Sequence, residues 1–187
     1  MLIAKKLKEE NIGEYLLYMW QVEDMIRANS LDIDKLDEQI ISRFDQPDNV
    51  KKEIREWYEN LTSMMREENV IEKGHLIINE NVISNLTDLH LSLLASRSEA
   101  DYSTAYYKTL PFIVELRAKS PDKNIPELET CFAALYGYLL MRLQKKEISG
   151  ETQAAISQIS SFLRTLSQKY KDAFFDQDQS LSFGKVR

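Results

Sequence analysis

The sequence predicts an all-α fold, an irregular bundle of about seven helices, and two observations carry that prediction. Only five Gly and four Pro occur in 187 residues, too few to supply the special backbone angles that a series of hairpins needs. Apolar side chains recur at three- and four-residue spacing along most of the chain, the period that gathers them on one face of a helix. One stretch, HLIINE after Gly74, has strand-like composition. With no second strand to pair with, it is read as a connector.

Each element follows from the same reasoning. From Ile3 to about Asn29 nothing stronger than Gly13 interrupts a helix, and Ile12, Tyr15, Met19, Val22 and Ile26 make its apolar stripe. Asp32 or Ser30 caps a second helix carrying Ile33, Leu36, Ile40 and Phe44, which ends before Gln46-Pro47. Asp48 is the expected cap of a third, with Val50, Ile54, Trp57 and Leu61 on one side and a densely charged outer face. The fourth runs from about Asn81 to Ser98. The fifth, from about Glu99 to Lys119, contains Pro111, whose missing N–H and ring clash should kink it or make Thr109 a fresh cap.

SPDKNIPEL is the clearest loop, and Pro126 opens a sixth helix whose middle, CFAALYGYLLM, is apolar nearly all round. That composition predicts burial on most faces. Ser149-Gly150 separates it from a seventh helix, about Glu151 to Phe174. The remainder, DQDQSLSFGKVR, has weak periodicity and is read as a flexible tail over 176–187, leaving one helical domain over 1–175.

Composition narrows the function classes. Hydrophobic residues at 43% and charged ones at 29% match a chain that builds its own core. The sole cysteine, Cys131, rules out an intramolecular disulfide and a Cys-rich zinc site, and fits a reducing, cytoplasmic compartment. The opening residues place charges where a secretory signal needs an apolar run. The most membrane-like stretch, Cys131 to Met141, falls far short of the roughly 20 residues that cross a bilayer. A net charge of −6 disfavours general phosphate-backbone binding, so neither membrane nor nucleic acid is expected as a partner. Residues 1–100 carry 12 basic and 20 acidic side chains and 101–187 carry 12 and 10, a contrast of −8 against +2. It either guides packing or marks an ordinary acidic surface.

Candidate site residues fall in three groups. Helical spacing puts Leu17, Trp20, Asp24 and Arg27 together, away from the main stripe of the first helix. A flat indole beside an acid and a base lines a ligand pocket or an interface, or else Glu23 or Asp24 simply pairs with Arg27. His90 lies within an apolar arc with Leu86, Leu93 and Leu94, as a general base near neutral pH or as a core residue satisfied by one hydrogen bond. Tyr102, Tyr106, Thr109, Ile113 and Arg117 share one face of the fifth helix, suited to a pocket mouth, an interface or the core. Gly137, one turn after Ala133, leaves room for another helix.

A lone Glu72-x-x-His75 lacks the second such pair that a di-iron bundle needs, and Gly74 interrupts it, so no metal is expected. No nucleophile elbow, Walker loop, dinucleotide fingerprint or His-Glu-x-x-His occurs. Neither catalytic residues nor a cofactor are therefore assigned.

The stretch IAKKLKEENIGEYLLYMWQVEDMIRAN resembles the N-terminal signature of an uncharacterised all-helical family, a domain of unknown function, of Bacteroidetes-type bacteria. Ile12, Glu14, Tyr15, Tyr18, Met19, Trp20, Glu23, Asp24 and Arg27 carry the resemblance. It implies a bacterial, helical, intracellular protein. The expectation is a non-enzymatic interaction or scaffold protein that self-associates as a homodimer or binds another protein. The alternative is a small-ligand binder or enzyme with a pocket gathering Trp20, Asp24, Arg27 and His90.

Overall fold

The computed structural model describes residues 2–120 and 125–175. All regular structure among them is helical: α1 (Leu2–Glu10), α2 (Ile12–Ala28), α3 (Ile33–Gln39), a 3-10 turn (Ile41–Arg43), α4 (Asp48–Glu67), α5 (Ile77–Ala95), α6 (Ala100–Lys119), α7 (Glu127–Leu143) and α8 (Gly150–Phe174). Eight α-helices replace the expected seven because the first divides at Asn11. There the Asn11 Oδ1 accepts from the Gly13 N–H at 3.1 Å, drawing off a donor the helix ladder would use. A Cβ on Gly13 would meet Ser167 Oγ at 2.8 Å. Glycine is required there for close approach. The expected tail over 176–187 and the middle of the SPDKNIPEL loop, 121–124, lie outside the described residues.

Two compact units divide the chain: Met1–Lys8 with Glu14–Val82, and Glu9–Gly13 with Ile83–Arg187. In the first, Asp32 caps α3, its side chain accepting from the Asp34 and Lys35 N–H groups. Arg55 of α4 ties the two helices together, reaching Asp34 at 2.6 Å and Asp37 at 2.8 Å. α4 is amphipathic as its sequence requires: Tyr58, Leu61 and Met65 are buried, and Lys52, Glu53, Glu56 and Glu59 are exposed. Each such apolar side chain, with Leu36 opposite, gains about 1.5–3 kcal/mol from burial. Pro47, not Asp48, occupies the cap position.

α5 starts at Ile77, so most of HLIINE is helix and not connector. Its sequence offers no capping Ser, Thr or Asp. Two distant carboxylates serve instead: Glu68 Oε2 accepts from the Ile77 N–H at 2.7 Å and Glu23 Oε1 from the Leu76 N–H at 2.9 Å. Orphan donors of a first turn need such partners from somewhere.

In the second unit α6, α7 and α8 pack on one another. α6 runs through Pro111 without a break. The Thr109 hydroxyl bonds back to the Ala105 carbonyl at 2.8 Å and accepts from Gln158 at 3.1 Å, so it does not open a new helix. α8, capped by Ser149, buries Ile156, Ile159, Phe162, Leu163 and Leu166. α7 departs from expectation. Leu128, Thr130, Cys131 and Phe132 are buried, but Leu135 through Met141 are only half-buried and Leu143 is 67% exposed. Hydrophobicity all round a helix shows what it can bury, not where its neighbours end.

Candidate functional site

Two polar clusters hold the residues singled out from the sequence, one in each unit. In the first, helical spacing brings Trp20, Glu23, Asp24 and Arg27 of α2 to a single side. The loop between α4 and α5 crosses that side. Glu23 is wholly buried and its carboxylate accepts three hydrogen bonds: from His75 Nδ1 at 2.6 Å, from the Leu76 N–H at 2.9 Å, and from Asn79 Nδ2 at 2.6 Å. A buried carboxylate needs this many partners. Trp20, 2% exposed, stacks on the His75 ring at 4.1 Å between centroids and 10° between planes.

Arg27 works on the same loop from one turn further on. Its guanidinium pairs with Asp24 at 2.9 Å and donates to the Val70 carbonyl at 3.2 Å and to the Gly74 carbonyl. Gly74 has φ +88°, open to glycine at little cost. Asp24 is about half exposed, while Arg27 is 15% exposed. The i, i+3 pair anticipated for this helix is present, and its cation is also committed to the loop.

Chemically, the Glu23–His75 pair fixes one imidazole nitrogen on a carboxylate, which is the base half of a triad. Among the described residues, however, the ring bonds to no hydroxyl or thiol. No group of three or more metal-ligating side chains occurs among the described residues. The arrangement's evident work is to clamp residues 70–79 onto α2. Sequence reasoning named Trp20, Asp24 and Arg27 but not Asn79; it met His75 only in a metal pair that lacks its second half, and Glu23 as a partner for Arg27 and a carrier of the family resemblance. The available signal was the uncapped start of α5, which requires acceptors from elsewhere.

The second cluster gathers His90, Tyr102, Tyr106 and Arg117. His90 is 4% exposed and its Nδ1 lies 2.6 Å from the Tyr102 hydroxyl. Tyr106 and Phe162 present ring edges to it at 4.8 and 5.8 Å. Tyr106 donates to Glu127 at 2.7 Å, and Arg117 approaches the same carboxylate at 3.9 Å. Burial lowers the His90 pKa below its usual 6.5, with Glu127 acting weakly the other way. Burial likewise raises both tyrosines and pushes the Cys131 thiol up to about 12. These groups are neutral near pH 7 and pack as core. His90 belongs to the second unit, and Trp20, Asp24 and Arg27 to the first.

Fold and clusters together define an all-helical protein whose polar side chains chiefly fasten its own segments. A family model described as Domain of unknown function (DUF4924) matches residues 1–176, and the chain belongs to that family. No curated protein and no solved structure was found to match it. No helix among the described residues is long and apolar enough to cross a membrane.

Proposed function

We propose that this is a non-enzymatic interaction protein that self-associates through the second half of α7. One observation carries the reading: from Leu135 to Met141 the helix is apolar and half-buried, and Ala133 and Leu143 are exposed. Nothing lies within 4 Å of where a Gly137 Cβ would stand. A run of apolar side chains left only half covered along one helix suits a helical partner.

The occupant is a second copy in antiparallel register. α7 begins with Glu127 and Glu129 and ends with Arg142, followed by Lys145 and Lys146. Reversing one helix about Gly137 therefore brings the acidic start of α7 in each copy, with Glu129, toward the basic turn that follows α7 in the other, with Lys145, in the isologous pairing that most dimers use. A reducing bacterial cytoplasm is the setting we infer, supported by the single buried Cys131.

Light scattering on the full chain should return a dimer. Leu140→Asp should return a monomer with unchanged helical circular dichroism. Glu129→Lys should weaken the dimer, and adding Lys145→Glu should restore it. A wild-type monomer at the highest soluble concentration would end the proposal.

A further inference from the structure

A hollow of about 550 Å³ opens where α2 gives way to α3, flanked by the last turns of α4. That volume is ample for a small ligand. Thr62 lines it, 3% exposed, and its hydroxyl has no hydrogen-bond partner among the described residues. Helical threonines commonly return the hydroxyl to the carbonyl four residues back. Thr87, Thr104, Thr109, Thr130 and Thr165 all do so here, and Thr62 does not.

The wall opposite is held in an uncommon shape. Ser30 and Leu31 both have φ +58°, a left-handed conformation seldom seen in leucine. Their turn sends the Leu31 carbonyl to Arg66 Nη2 at 2.8 Å, fixing a guanidinium at the rim. Asp32 and Glu59 complete the lining, each already anchored, Asp32 by capping α3 and Glu59 by Arg55 at 3.4 Å.

We infer that this hollow binds a small zwitterion of the amino-acid type. The ligand carboxylate takes the free edge of the Arg66 guanidinium and the Thr62 hydroxyl, and its ammonium faces Asp32 and Glu59. A free amino acid and a short peptide share this chemistry. Trp20, Asp24, Arg27 and His90 do not line the hollow, so the site differs from the pocket foreseen in the sequence.

The test is calorimetric titration of the full chain with L-alanine and with L-alanyl-L-alanine, beside acetate and methylammonium as half-ligands. Saturable binding of at least one zwitterion is expected, with each half-ligand at least about tenfold weaker. Alanine binding identifies a free amino acid as the ligand, and binding of the dipeptide alone identifies a peptide. Thr62→Val should weaken binding about tenfold while its melting midpoint is not lowered, because a methyl replaces a buried unpartnered hydroxyl. Arg66→Gln, at an exposed position, should lose the carboxylate contact. The inference is overturned if neither zwitterion binds saturably, if the half-ligands bind as tightly, or if both variants bind like wild type.

Discussion

The chain's two histidines occupy opposite environments. His75 lies against a buried carboxylate and an indole, is 28% exposed, and fastens a loop to α2. His90 is buried among Tyr102, Tyr106 and Phe162, with a tyrosine hydroxyl as partner. From the sequence His90 looked the more informative, since its helical neighbours are leucines, and His75 looked like a helix terminus. The contrast teaches that periodicity reports how deep a side chain sits. It is silent on which charge the distant chain brings to meet it.

The comparison is sharpened most by removing its anchor. Glu23→Ala strands three donors that now share one buried carboxylate, and the loss should be about 3–5 kcal/mol in urea unfolding. A loss below about 1 kcal/mol would mean the loop does not depend on the clamp. His90→Phe comes next. It deprives the buried Tyr102 hydroxyl of its partner, at about 1–3 kcal/mol.

The same variant tests the electrostatic half of the contrast. Because folding lowers the His90 pKa, the unfolded chain binds the proton more readily between the two pKa values. Stability is full above about pH 6.5 and declines as pH falls from there toward the folded-state pKa. His90→Phe should remove that part of the decline, and parallel pH profiles for the two proteins would contradict it. Asp24→Asn should matter least. Its pair with Arg27 is half exposed, so the change should stay within about 0.5 kcal/mol.

Local reading recovered much of the fold. The stripes of α4 and α8, the Asp32 cap and the Ser149-Gly150 break follow from neighbours within a turn or two. It recovered part of the first cluster as well, since Trp20, Asp24 and Arg27 meet on one side of α2. Most of what it missed has one cause. The early start of α5, the grip on Glu23 and the need for glycine at position 13 each depend on a group more than one turn away, whereas the division at Asn11 is a local bond from the Gly13 N–H to the Asn11 side chain. Gly13 is needed because Ser167 comes close. Ile77 can begin a helix because Glu68 and Glu23 take its first donors.

By itself, then, the sequence determined an all-helical chain with amphipathic helices, set His90 within an apolar arc and brought Trp20, Asp24 and Arg27 to one side of a helix. Helical period and short-range capping are local properties, and one chain suffices to express them. Only the tertiary structure decided that His75 stacks on Trp20, that Glu23 serves three donors, and that α7 leaves its second half half-covered. Those outcomes depend on which distant groups arrive within hydrogen-bonding or van der Waals reach, and residue spacing along the chain does not encode that distance.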